Sequence, residues 1–156
     1  MLRVVLGLVT TAALVVGLAA TSQASVAAPC RPTESDVAGP FQQTRLDAPR
    51  RSKIGTGHVL QGRLVRASDC AAVAGALVVL WQAGPNGYGP RGRASVVSDR
   101  RGRFRFEGPV PASYSGRPPH IHIAVSHPDY EELLTRYVVR RGAKTGKVTL
   151  VLTPLL

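Results

Sequence analysis

The stretch Arg117-Pro118-Pro119-His120-Ile121-His122-Ile123-Ala124-Val125 decides the reading of this chain. It reads as a short turn feeding directly into a β-strand. Successive side chains on a strand point to opposite faces, so His120, His122 and Ala124 share one face and Ile121, Ile123 and Val125 the other. The aliphatic face belongs in a core. The other face presents two imidazoles side by side, followed by a residue too small to block them. Two histidines so placed form a two-point metal clamp, because neutral imidazole is the commonest protein metal ligand. Taken alone, the pair reads more readily as two polar residues on a solvent face. Its surroundings have to decide.

Outward from this stretch, short apolar-rich segments alternate with Gly, Pro, Asp and Ser, and none has a helical period. The expected strands are His58–Ala67, Val73–Gln82, Ala94–Ser98, Arg103–Glu107, His120–Ser126, Leu134–Arg140 and Lys147–Leu152. Phe104 and Phe106 show the two-residue alternation, as do Val148, Leu150 and Leu152. Turn signals such as Asp99-Arg100-Arg101-Gly102 separate them. This pattern predicts an all-β fold, a single sandwich of short, mainly antiparallel strands over 54–156.

Ahead of the sandwich lie two other segments. Met1-Leu2-Arg3, an apolar run over Val4–Ala20 and the small residues of Ser25-Val26-Ala27-Ala28 have the anatomy of a secretory signal peptide, 1–28. The domain is therefore expected outside the cytoplasm, exported by the general route and free of the membrane after cleavage. Residues 29–53 are polar and proline-rich and read as an extended arm. The remainder is long enough to bury about two-thirds of its unfolded surface in one core. It holds just two cysteines, Cys30 and Cys70. In an exported chain such a pair reads as one disulfide, tying the arm to the turn before the second strand.

The net charge of +11 implies solubility and attraction to anionic ligands or surfaces. It does not imply nucleic acid, because the arginines are scattered and the aromatics few. A solvated basic surface accounts for most of it.

Two of the four tyrosines lie where a strand has just ended. Tyr88 follows Gly84-Pro85-Asn86-Gly87 after the strand ending in Trp81-Gln82. Tyr114 stands six residues before His120, within reach of a fold-back towards the imidazoles. Singly, each is an ordinary core or rim residue. A set of two phenolates and two imidazoles, however, favours trivalent iron over zinc or copper, since phenolate is a hard anionic oxygen. A free phenol has a pKa near 10 and ionises at neutral pH only when a strong Lewis acid displaces its proton.

Trp81-Gln82-Ala83, Gly87-Tyr88, Tyr114 and Arg117-Pro118-Pro119-His120-Ile121-His122, in this order, resemble the intradiol ring-cleavage dioxygenases, the family of catechol and protocatechuate dioxygenases. Further matches are Gly39-Pro40-Phe41, Gly75-Ala76-Leu77-Val78 and Gly102-Arg103-Phe104-Arg105-Phe106. The resemblance runs from about Cys30 to about Val139 and is nearest to the small exported branch. It implies non-haem Fe(III) held by Tyr88, Tyr114, His120 and His122, and cleavage of a small aromatic diol with O2 to a cis,cis-muconate. Tyr114 would leave the iron and act as base, and Arg117 would stabilise the anionic ring. Arg136 and Trp81 are weaker candidates for substrate contact.

The chain departs from the family pattern at Gln42, where a tyrosine is common, and at Arg136, where a glutamine is. At this length no room is expected for the helical domain that pairs the larger enzymes, so the oligomer and the ring substituents stay open. His58 reads as a surface residue remote from the cluster, and His127 as part of a turn. Two other readings compete: a non-catalytic transthyretin-like sandwich, suggested by Gln61–Val65 and Val73–Val79, and a protein that captures iron or catecholates.

Overall fold

The computed structural model describes residues 30–36 and 48–156. The expected signal-peptide segment 1–28, Gly39-Pro40-Phe41 and Gln42 lie outside the described residues. Seven strands follow in chain order: β1 (His58–Arg66), β2 (Leu77–Gly84), β3 (Gly87–Val97), β4 (Arg103–Gly108), β5 (His120–His127), β6 (Tyr130–Val138) and β7 (Thr145–Leu152). They form a three-stranded sheet, β4-β1-β7, packed on a four-stranded sheet, β3-β2-β5-β6. Every pairing is antiparallel except β1 with β7. The all-β sandwich read from the alternation is thus observed.

The core lies between the sheets and is built by that alternation. Leu60, Leu64, Phe104, Phe106, Leu150 and Leu152 project from one sheet, and Val78, Leu80, Ile121, Ile123 and Val125 from the other. Burying each such side chain contributes about 1.5–3 kcal/mol. Gly62 has a packing reason to lack a side chain: a Cβ there would fall 1.9 Å from the Phe104 ring. Phe104 lies across that gap in the opposite strand.

Three strands start four or more residues from the expected position. β2 starts at Leu77 rather than Val73, because Gly75 takes a φ of 76° and breaks the extended run. β6 starts at Tyr130, four residues earlier than its alternation suggests. β3 starts at Gly87 and carries Tyr88 on a strand rather than in a loop. Its register against β2 jumps between Trp81 and Ala83, so Gly89–Gly92 bulge out of the ladder. Such a bulge re-aims the strand on either side of it.

The reading of His58 as a surface residue is wrong. His58 is 1 % exposed. It starts β1 opposite Gly108, inside the end of the sandwich, where its Nδ1 donates to the Ala143 carbonyl at 2.9 Å and its ring stacks on Tyr137. A strand-initial position need not be a surface one when a neighbouring loop folds over it.

The Cys30–Cys70 disulfide is present, with Cα atoms 5.4 Å apart. It joins the arm to the turn after β1. Asp69 organises that turn by accepting from Arg66 and from the Ala71 amide. These bonds hold its carboxyl down to about 2, the Arg66 contact first. A carboxyl depressed in the folded state stabilises it fully above the unfolded value of about 3.9 and ceases to do so as pH falls towards 2. In thermal melts across pH, wild type should stand above Asp69→Asn near neutrality, and the gap should close between about pH 4 and pH 2. A gap that is constant down to pH 2 would remove the ion pair from the account of this turn.

Candidate metal centre

The outer face of the four-stranded sheet carries the site. One row across it reads Arg93, Trp81, His122 and Arg136, contributed by β3, β2, β5 and β6 in turn. Each member is the direct cross-strand neighbour of the next, so their side chains share this face. Trp81 and His122 stack at 4.9 Å with planes 8° apart. Trp81 therefore belongs to a small cluster with Val79 and Ala124 on the outer face, beneath the histidines rather than in the main core.

Three of the four expected ligands converge. The Tyr88 hydroxyl lies 3.0 Å from His120 Nε2 and 2.9 Å from His122 Nε2, and the two nitrogens are 3.1 Å apart. His120 Nδ1 is 2.7 Å from the Pro118 carbonyl, which can only accept. The proton is thereby fixed on Nδ1, and Nε2 turns its lone pair towards the other two atoms. The two Nε2 nitrogens and the phenol oxygen lie within 3.1 Å of one another and hold at most two protons among them while the imidazoles are neutral, too few for their three contacts. A cation relieves that crowding. Contacts of 2.9–3.1 Å among three such atoms suit donors gathered round one ion.

The protonation behaviour agrees. Burial, and then the neighbouring His120, push the His122 imidazole down to about 4, so it is neutral and able to ligate at physiological pH. Burial pushes the Tyr88 phenol up, against the opposing pull of Arg117. Tyr88 thus stays protonated unless a Lewis acid takes the proton's place. Among the described residues no group of three His, Cys, Asp or Glu forms a metal site. The donor set here depends on the phenol.

Tyr114 meets the cluster at its mouth. It is 37 % exposed, with its ring edge-on to Tyr88 at 5.1 Å. Gly87 makes room for it, since a Cβ there would touch the Tyr114 ring at 3.4 Å. Tyr114 and Arg117 exchange both backbone hydrogen bonds across Ser115 and Gly116, whose φ angles are 52° and 76°. That is a type I′ turn, and it sets the phenol and the guanidinium on one face as an opposed pair. The segment is anchored from behind by Gln82 Nε2, which donates to the Pro109 carbonyl at 2.7 Å, and by the Ala112 amide on the Ala83 carbonyl.

Arg117 and Arg136 both line a notch of about 190 Å³ beside His120, with Pro118 and Val138. A larger cavity of about 720 Å³ touches Tyr88 from under the Gly89–Gly92 bulge but reaches neither histidine. His127 ends β5, away from the cluster, with its Nδ1 on the Asp129 amide. One contributor escaped the sequence reading. Asp36, on the arm, pairs with Arg136 Nε at 2.8 Å. Nothing in the polar arm distinguished it from its neighbours.

No family model matches the chain. The 6-chlorohydroxyquinol 1,2-dioxygenase of Cupriavidus pinatubonensis is 33 % identical over 103 residues, covering 49 % of this chain and 37 % of the relative. Hydroxyquinol 1,2-dioxygenase from Pseudomonas putida DLL-E4 has the same fold, with a TM-score of 0.68 at 19 % identity, over 81 % of this chain and 68 % of that one. The proteins that this chain resembles in sequence or in fold include dioxygenases of hydroxyquinols and catechols. The dioxygenase domain of a dioxygenase–carbohydrate-binding protein fusion from Streptomyces sp. SirexAA-E gives a TM-score of 0.67 at 21 % identity, over 79 % of this chain and 99 % of that chain. The structural likeness to the intradiol dioxygenases fixes the fold. The chain spans little more than a third of the curated relative's length.

Proposed function

We propose that this protein is an exported, Fe(III)-dependent intradiol dioxygenase that opens catechol-type rings with O2 to cis,cis-muconate-type products. The convergence of the Tyr88 hydroxyl with His120 Nε2 and His122 Nε2, beside the Tyr114–Arg117 turn, carries this reading. Tyr88, His120, His122 and Tyr114 would hold the iron. When bound, ferric iron supplies the Lewis acidity that ionises the phenols and makes the diol's ring reactive towards O2. A catechol and one O2 together have the composition of the muconic acid product, so no external reductant is needed.

The chain's own groups do the rest. Tyr114 Oη accepts the proton that the incoming diol gives up, at the exposed edge where the diol enters. Arg117, held opposite Tyr114, places a guanidinium beside the negative charge that gathers on the ring. Trp81 packs under His122 and keeps water from that side. The Pro118 carbonyl keeps the His120 tautomer that leaves Nε2 free to ligate. Export is supported by the disulfide, which persists in oxidising compartments.

The test is a visible spectrum of the ferric-loaded protein with catechol under air. A tyrosinate-to-iron band that shifts on adding catechol, followed by ultraviolet absorbance from a muconate, is expected. A colourless ferric-loaded protein, or a shift with no ring opening, overturns the reading. Arg117→Ala should lower kcat by about a hundredfold, the loss typical of one electrostatic contact to a transition-state anion. Iron content should hold, and full turnover would remove Arg117 from this role.

A further inference from the structure

The notch beside His120 holds two arginines, and this pair bears on which diols enter. Arg136 sits on β6 directly across from His122, so its side chain emerges on the same face as the histidines. Arg117 reaches the notch from the other side, on the type I′ turn. Among the described residues no carboxylate pairs with Arg117. Asp36 pairs with Arg136 at 2.8 Å through the Nε edge of its guanidinium. This contact sets the direction of the guanidinium. Two guanidinium groups against one carboxylate leave the notch positive.

Arginine's planar fork matches a carboxylate in two parallel hydrogen bonds, and such charge-assisted contacts are about twice as strong as neutral ones. The volume of about 190 Å³ lies below the roughly 300–1,000 Å³ of sites that take drug-sized ligands. It suits one ring substituent and part of one ring. Val138 and Pro118 supply the apolar walls.

We propose that Arg136, oriented by Asp36 and acting with Arg117, is a specificity-determining residue that selects aromatic diols bearing a carboxylate on the ring. The arm thus takes part in recognition: Asp36 sets the direction of the guanidinium while the disulfide and the arm's backbone bonds set the position of Asp36. This inference rests on the ring-opening function proposed above, and its test separates the two.

Calorimetric titration of the full-length protein, without iron, with 4-hydroxybenzoate and with its neutral isostere 4-hydroxybenzamide reads the notch alone. Wild type should bind the acid about tenfold more tightly than the amide, the size of one good charge-assisted contact. Arg136→Gln should bring the ratio close to one, and Arg136→Lys, which keeps the charge and loses the fork, should fall between. A double variant at the distant turn, Arg100→Gln with Arg101→Gln, controls for general attraction to a basic surface and should leave the ratio intact. Equal binding of acid and amide, or an equal loss in the control, overturns the proposal. With ferric-loaded protein, the ratio of kcat/KM for a carboxylated diol over catechol should drop by a similar factor in Arg136→Gln. A ratio that does not move overturns the inference while ring opening stands. Absence of ring opening with every diol overturns the function, and with it the substrate selection, while acid binding at the notch survives.

Discussion

His122→Ala is expected to bind no ferric iron at stoichiometric protein and to open no ring, while still folding. His122 projects from β5 on the outer face, so its loss leaves Ile121, Ile123 and Val125 packed in the core. The structural loss is confined to the stacking on Trp81 and a small void next to Ala124. The functional loss is of a different order. Removing even an outer-shell partner of a metal ligand commonly costs 10–100-fold in affinity or activity, and removing a ligand should exceed about a hundredfold. Of the three converging donors only Tyr88 and His120 then remain, and Tyr114 stands at the exposed mouth outside that convergence, so geometric control over the ion is lost. Elemental analysis after ferric loading, with circular dichroism of the same sample, reads both consequences. Iron retained at full stoichiometry with normal turnover would return the imidazole pair to a plain polar surface. Tyr114→Phe provides the contrast: three donors persist, so iron should stay bound while the visible band weakens and ring opening falls.

The part of this molecule that alternates cleanly was legible from residues alone. β5 reads correctly because its two faces differ in chemistry, aliphatic inside and, at its first two outward positions, imidazole outside. β3 does not, because Gly87-Tyr88-Gly89-Pro90 uses turn-forming residues to build an outgoing strand and a bulge. Glycine and proline report backbone freedom and restriction, not whether a ladder continues across them. β6 was placed four residues late since Glu131 and Glu132 face solvent at a sheet edge, where polarity masks the period. The three-atom convergence at the site followed from spacing and resemblance together. The tautomer set by Pro118 and the ion pair from Asp36 did not, because both depend on where distant backbone comes to rest. The buried His58 has the same cause: the Ala143 carbonyl that covers it is 85 residues away.

Replacing Cys30 and Cys70 with serine should destabilise the protein by about 4 kcal/mol while leaving iron binding in place. The bridge spans a sequence separation of 40, and closing a loop of that size removes unfolded-chain entropy worth about 4 kcal/mol in the chain-entropy model. The midpoint of thermal unfolding should fall by roughly 10–20 °C. The arm beyond Cys30 does more than hang from the disulfide. Cys30 N–H donates to Ala67, Thr33 N–H to Val151, and Asp36 N–H to Leu134, at 2.7–3.0 Å. Val151 N–H returns a bond to the Thr33 hydroxyl. The arm therefore stitches β7, an edge of one sheet, to β6, an edge of the other. Without the covalent tie, four backbone-level bonds must hold a short extended segment against its own chain entropy, at about 1–2 kcal/mol per residue. The converging donors Tyr88, His120 and His122 sit on β3 and β5, which the backbone bonds of residues 30–36 do not engage. Loss of the bridge should thus lower stability and blur the acid-over-amide preference through Asp36, yet leave the ferric band of the folded protein unchanged. An unfolding midpoint that does not shift would show that the folded arm is held by its hydrogen bonds alone. A ferric band lost while circular dichroism still reports the sandwich would show instead that the arm shapes the donor set directly.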